Sequence, residues 1–267
     1  MALFTDQMHR AVALELYPPR RIVSLVPSQT ELLGALGLDA EVVGITKFCV
    51  HPERWFRSKT RVGGTKTVHL DRVAALAPDL IIGNLEENDR EQIEALAAQF
   101  PVWMSDVRGL DDALRMIDGV GQLTGKSEAA QAMCSEIRRR FAALPPPERP
   151  LRAAYFIWRK PYMAAGSDTF IDAMLAAAGF ENVFRNQPRY PEVSLEALAA
   201  ARPELIMLSS EPFPFSEKHV GAFREACPGA QIKMVNGEMF SWYGSRLLEA
   251  PAYFQDLLAG YEDANQA

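Results

Sequence analysis

LDRVAALAPDLIIG, residues 70–83, returns at residues 195–208 as LEALAAARPELIML. Leu70 aligns with Leu195, Asp71 with Glu196, Pro78 with Pro203, Asp79 with Glu204 and Leu80-Ile81 with Leu205-Ile206. Each copy predicts a short Ala-rich helix that stops at the proline, then a buried strand. Proline cannot continue the helix ladder and disfavours helical geometry in the residue before it, so it marks the switch. One such phrase is commonplace in an α/β protein. Two of them, each near the middle of its half, predict two similar lobes.

The chain around them has 267 residues, enough for two domains of ordinary size. A hydrophobic content of 48% with 23% charged residues describes a globular protein able to bury a full core. The net charge of -6 and the lack of a strongly basic run give no reason to expect nucleic acid. Cys49, Cys134 and Cys227 are too few for a disulfide framework and leave the redox compartment open. The opening MALFTDQMHRAVALELYPPRR lacks the features of a secretory signal, and no stretch approaches the roughly 20 apolar residues of a membrane span. Taken literally, the expectation is a cytoplasmic chain; a mature form with a new initiator Met is the other possibility.

In the first half, Ile22–Val26 reads as a strand that enters PSQTELLGALGL directly. Ser28 and Glu31 have capping-box spacing, Leu32, Leu33 and Leu36 form a buried stripe, and Gly37 ends the helix. GxGxxG and GxxxxGK[ST] are both missing, which disfavours a dinucleotide or P-loop site. The helix start either faces an anionic ligand or is an ordinary capped turn. Glu41–Thr46 is a second strand, and its exit KFCVHPERWF holds Phe48 with Cys49 and His51 two apart. Cys-x-His offers two metal ligands, without the second pair that structural zinc needs; the alternative is a plain cleft-lining loop. RVGGTKTVHL supplies a tight turn and Lys66. Beyond the first repeat come a helix bearing Ile93 and Leu96, a strand Pro101–Met104 and a helix Leu110–Leu123. This alternation predicts a parallel sheet covered by helices.

Ser127–Leu144 contains no Gly or Pro and repeats Ala130, Met133, Cys134, Ile137 and Phe141 at helical spacing, before Pro145-Pro146-Pro147 stops it. One long helix between two α/β halves predicts a stiff joint. The boundaries expected are 1–125 for the first lobe, 126–147 for the bridging helix with its Pro-rich end, and 148–267 for the second lobe. There Leu151–Trp158 is a strand followed by WRKPYMAAGSDTF, which places Trp158, Arg159 and Tyr162 where α/β folds keep their ligands. Ser167 or Asp168 caps the helix Thr169–Ala178, and Gly179 closes it. Arg185, Arg189 and Tyr190 precede the second repeat, and Phe213 and Phe215 follow it. Gln231–Val235 is the last strand, NGEMFSWYGSR a loop with Trp242 and Tyr243, and Arg246–Ala259 the closing helix. Aromatics and arginines thus gather in post-strand loops of both halves, as in small-molecule sites.

RIVSLVPSQTELLGALGL, VGGTKTVHLDRVAALAPDLIIG, the bridging helix, YPEVSLEALAAARPELIML and SWYGSRLLEAPAYFQDLL together resemble the substrate-binding proteins of cobalamin and iron-siderophore ABC importers. The likeness runs from about Arg21 to Leu258. It implies two Rossmann-like lobes with mainly parallel sheets, joined by one rigid α-helix, and a ligand held in the cleft between them. It also implies a monomer working outside the cytoplasmic membrane, with no enzymatic activity and no cofactor beyond its ligand. Members of that family present one acidic residue per lobe to arginines of the membrane permease, and Asp71 and Glu196 match those positions. The alternative role for each is to complement its helix dipole. Thr65 and Lys66 stand near the place of a first-lobe aromatic of corrinoid binders, and GGTK looks more like siderophore- or haem-type relatives.

Two hypotheses follow. The first is a solute-binding protein for a metal chelate, whether cobalamin-like, a ferric siderophore or haem. Phe48, Trp158, Tyr162, Trp242 and Tyr243 then pack on the ligand, while Lys66, Arg159, Arg189 and Arg246 meet its acidic groups. The second is an intracellular metal-handling protein or enzyme on the same scaffold, using Cys49 and His51 with His69 as a further candidate, although no nucleophile–base pair or carboxylate pair supports it.

Overall fold

Both copies of the repeated phrase fold as their spacing predicts: Leu70–Ala75 and Leu195–Ala201 are helices, Leu80–Asn84 and Leu205–Ser209 strands. The structure, a computed structural model, describes residues 1–146 and 149–266, so Pro147 of the Pro-rich run lies outside the described residues. Two units emerge from it. The first comprises Met1–Val107, Asp111–Ile137 and Trp242–Arg246; the second comprises Arg108–Leu110, Arg138–Ser241 and the chain from Leu247.

The first unit contains β1 (Ala2–Thr5), β2 (Ala11–Leu14), β3 (Ile22–Ser24), α1 (Pro27–Ala35), β4 (Val42–Ile45), α2 (Glu53–Ser58) and β5 (Thr60–Arg61). Then come α3 (Leu70–Ala75), β6 (Leu80–Asn84), α4 (Arg90–Ala97), β7 (Val102–Ser105) and α5 (Leu110–Thr124). Its main sheet runs β5-β4-β3-β6-β7, every pair parallel. Val23, Leu25, Val73, Ile81, Ile93 and Met104 fill one core beside it. β1 and β2 form a separate antiparallel hairpin. Its turn is built on Asp6, whose carboxylate accepts from the N–H groups of Met8 at 2.9 Å and Arg10 at 2.8 Å.

α6 (Ser127–Ala142) carries the chain from the first unit into the second. There follow β8 (Leu151–Trp158), β9 (Met163–Ala164), α7 (Phe170–Ala177), β10 (Phe180–Asn182), α8 (Leu195–Ala201) and β11 (Leu205–Ser209). α9 (Val220–Ala226), β12 (Gln231–Val235), α10 (Glu238–Ser241) and α11 (Ala250–Gln266) complete it. Strand order is β10-β8-β11-β12, all parallel, with β9 antiparallel to β8. Phe156, Leu198, Ile206, Leu208 and Phe223 lie in its core. This order matches β4-β3-β6-β7, so the duplication seen in the phrase extends to topology.

The phrase works the same way twice. Ala77 and Arg202, each just before the proline, take left-handed backbone at φ +41° and +49°. Neither can adopt helical geometry comfortably there, so both helices end at once. The acid after the proline then reaches the entrance of the neighbouring strand. Asp79 Oδ2 accepts from Arg20 N at 2.9 Å and Arg21 N at 3.0 Å, and Glu204 Oε2 accepts from Arg152 N at 3.1 Å. Arginines return the contact: Arg21 Nε donates to Leu76 O at 2.8 Å, and Arg152 Nη2 to Ala201 O at 2.7 Å. Each satisfies a helix-end carbonyl that has no partner inside its helix.

Three local expectations are corrected. α1 has no side-chain cap: Val26 is its N-cap, Pro27 opens the first turn, and Glu31 turns to Arg246 instead of closing a capping box. Thr169 caps α7, accepting from Asp172 N at 3.1 Å, in place of Ser167 or Asp168. A short 3-10 turn at Ser245–Leu248 precedes the last helix, which begins at Ala250 and not at Arg246.

Candidate functional site

In parallel sheets the carboxyl ends of the strands, where the strand order reverses, are the usual place for a ligand. In the first unit that point lies between β3 and β6. Its floor is polar and fully buried. Gln29 Nε2 donates to Ser105 Oγ at 2.7 Å, and Asn84 Nδ2 to the same oxygen at 2.9 Å. Asn84 Oδ1 accepts from Glu86 N at 2.8 Å and Glu87 N at 3.1 Å, while Asn88 Oδ1 accepts from Asn84 N at 2.8 Å. Lys66 Nζ then donates to Glu86 O at 2.7 Å and Asn88 O at 3.1 Å. The loop after β6 is thereby fixed, and Lys66 serves as its rivet.

The segment Trp242–Arg246 belongs to this unit. Tyr243 is 5% exposed and donates to Glu87 Oε1 at 2.7 Å. Burial, reinforced by the Glu87 charge, pushes its phenol well above the usual range, so it remains a donor. Arg246 pairs with Glu31, both side chains largely buried, and its guanidinium lies 5.5 Å from the Trp242 ring. The Trp242 ring meets His51 edge-on at 5.7 Å. A side chain at Gly244 would come within 2.6 Å of Ser28 O, so glycine is required for this close approach to α1. The start of α1 is covered by this segment and is not an open anion site. Trp242, Tyr243 and Arg246 therefore face inward within the first unit. Sequence patterning does not reveal this, because rings and cations suit packing as well as ligand contact.

Cys49 is fully buried. Its sulfur lies 3.0 Å from Thr30 Oγ1 and 3.1 Å from Thr46 Oγ1, and burial pushes the thiol up to about 11. The Cys49 thiol is thus enclosed by two threonine hydroxyls, and the His51 ring packs edge-on against Trp242. Among the described residues no group of three or more His, Cys, Asp or Glu is placed to hold a metal ion. What this face does expose is apolar: Phe48 at 51%, Val50 at 40% and Leu85 at 44%. The Lys47 ammonium lies 5.0 Å over the Phe48 ring.

In the second unit the corresponding point lies between β8 and β11. Trp158, 40% exposed at the end of β8, meets Phe213 edge-on at 5.9 Å. Phe213 continues to Phe215 at 4.9 Å and His219 at 5.3 Å. His219 Nδ1 accepts from Ser216 N at 2.9 Å. Burial, together with the charges of Arg159 and Lys218, lowers its pKa and keeps the ring neutral. Arg159 is half-buried beside Trp158. Tyr162 packs on Phe223 at 5.0 Å and Phe156 at 6.0 Å, with part of its surface open. Arg189 donates to Asp168 O. Asp71 and Glu196 are both exposed in the first turns of α3 and α8. A surface groove of about 460 Å³ lies elsewhere, lined by Arg10–Ala13 and Ala97–Val102 at the amino end of β7.

A family model described as periplasmic binding protein matches residues 22–233, both repeats and the whole of α6 included. The chain belongs to this family. Among its relatives, the vitamin B12-binding protein of Vibrio campbellii is 27% identical over 198 residues, 72% of this chain and 71% of the relative. That of Pectobacterium carotovorum subsp. carotovorum is 26% identical over 239 residues, covering 87% and 86%. The periplasmic haem-binding protein of Vibrio cholerae superposes with a TM-score of 0.76 at 22% identity, covering 89% of this chain and 98% of that one. The vitamin B12-binding protein of Vibrio cholerae gives 0.74 at 23%, covering 92% and 98%. These solved structures share the two-lobe α/β fold of periplasmic binding proteins.

Proposed function

We propose that this chain is the solute-binding component of an ABC importer. It takes a metal chelate (a corrinoid, a ferric siderophore or haem) outside the cytoplasmic membrane and hands it, as a monomer, to a membrane permease. The observation that carries this reading is the chain-wide match to periplasmic binding proteins, whose relatives include vitamin B12-binding proteins. The chemistry of the loops supports it. Phe48 and Trp158 offer exposed ring surface at post-strand positions, which suits a large, flat or apolar-faced ligand. Arg159 and Tyr162 flank Trp158 and complete the ligand contacts, with His51 and Arg189 at the margins. Trp242, Tyr243, Lys66 and Arg246 act by holding the loops. The ligand is bound unchanged, with no covalent step and no resident cofactor. Asp71 and Glu196 are the permease-docking acids.

Calorimetric titration with cyanocobalamin, haem and ferric siderophores tests this. Saturable one-to-one binding of at least one chelate is expected, at dissociation constants of about micromolar or below. Absence of binding for all of them would overturn it. Metal analysis of the purified protein separates the rival metal-handling role: Cys49→Ala is expected to leave the metal content unchanged, and bound zinc or iron lost in that variant would favour the rival.

A further inference from the structure

Four cations stand out from the sequence as receivers of a ligand's acidic groups: Lys66, Arg159, Arg189 and Arg246. The structure sorts them. Lys66 spans two backbone carbonyls, Arg246 pairs with Glu31, and Arg189 donates to Asp168 O. Arg159 makes no hydrogen bond or ion pair among the described residues. It is half-buried, follows directly on β8 at the strand-order reversal of its sheet, and adjoins the exposed Trp158. The neighbouring ring cluster of Phe213, Phe215 and His219 holds no acid to neutralise it, and the acceptor nitrogen of His219, Nδ1, is already occupied by Ser216 N.

We propose that Arg159 is the specificity-determining residue for the ligand, selecting chelates that carry free carboxylates while Trp158 packs on their ring or apolar face. This rests on the solute-binding reading above. A half-buried guanidinium with no acid on it is open to one, and a ligand carboxylate supplies the planar acceptor that its fork geometry fits. Trp158 alone does not discriminate by charge, because stacking and apolar contact are indifferent to whether a distant acid is free or esterified. Selectivity for charge therefore falls to Arg159.

The test uses matched ligands that differ only in their acids: haem against haem dimethyl ester, and cobyrinic acid against its methyl ester. Affinities are measured for the wild type, Arg159→Gln and Arg159→Lys. The free acid of whichever pair binds is expected to bind at least about tenfold tighter than its ester. Arg159→Gln is expected to remove that preference by weakening the acid alone, and Arg159→Lys to restore part of it, because lysine keeps the charge but not the fork. Equal affinity for acid and ester, or a preference that survives Arg159→Gln, overturns the assignment of Arg159 and leaves the solute-binding reading standing. If no member of either pair binds, but a ferric trihydroxamate without free carboxylates does, the assignment is likewise overturned. Silence from every probe overturns both.

Discussion

The two copies of the repeated phrase can be compared residue by residue, and their two acidic positions behave differently. Asp79 and Glu204 are equivalent in place and in work: each holds the N–H groups at the entrance of the neighbouring strand. Asp71 and Glu196 are equivalent in place only. α8 is capped by Ser194, whose hydroxyl accepts from Ala197 N at 3.2 Å, and Ser194 also bonds the Glu196 carboxyl and holds it below the usual carboxylate range. α3 begins at His69, with no side-chain cap. The half-buried acid of the phrase does the same work in both copies, whereas the exposed acid has a side-chain partner in α8 that α3 does not repeat at its cap.

The largest effect expected from this contrast concerns transport. On the proposed docking role, Asp71→Lys combined with Glu196→Lys should reduce permease-dependent uptake by about tenfold or more, because the charge at both docking points is reversed. Ligand affinity should stay unchanged. Equal loss of ligand binding would move this pair into the ligand site or the fold.

Next comes stability. Glu204→Ala should cost about 1–3 kcal/mol in urea unfolding, since it frees a strand-entry N–H and breaks the contact with Arg149. Asp79→Ala should cost about 1 kcal/mol, because its bonds lie closer to solvent. Arg149 first, then the Arg152 N–H and the charges of both arginines, hold Glu204 below its ordinary value. The sign follows: the stabilisation is complete above the ordinary glutamate pKa and is lost as pH falls through the depressed one. Glu204→Gln should therefore flatten the acid limb of the stability profile and leave the alkaline limb alone. A profile unchanged by that substitution would remove Glu204 from the account.

Smaller effects separate the helix starts and ends. Ser194→Ala should cost about 1 kcal/mol, as loss of an N-cap does, while His69→Ala should change stability by only a few tenths. Equal costs would erase the distinction between α8 and α3. Smallest of all, Ala77→Gly and Arg202→Gly should each raise stability by at most about 1 kcal/mol, because only glycine takes positive φ without a steric penalty. A loss at either position would mean that its side chain matters more than its backbone.

Much of this fold was legible because proline, helical periodicity and short apolar strands act locally. Leu80 and Leu205 begin strands at the aligned positions, and β8 and β12 match their expected limits. The β1–β2 hairpin was not legible: ALFT and AVAL are four-residue strands, too short for alternation to register. Parts of the candidate site were hidden for another reason. Ser245 meets Glu31 across 214 positions, and nothing in SWYGSR announces that its rings and its arginine fold inward. Cys49 shows the same limit, since Cys-x-His spacing is identical whether the thiol points out or is enclosed by Thr30 and Thr46. Trp158 and Arg159 stand at the carboxyl end of β8, where the sequence places them, because the limits of that strand are set locally.

Trp158 also makes the central claim directly measurable. Of the four tryptophans, Trp55 at 1%, Trp103 at 2% and Trp242 at 6% are buried, whereas Trp158 is 40% exposed. Titration of intrinsic fluorescence with corrinoids, haem and ferric siderophores should give a saturable one-to-one change with at least one of them, and Trp158→Phe should remove most of that signal. No saturable change with any chelate would contradict the account of this chain as a chelate-binding protein.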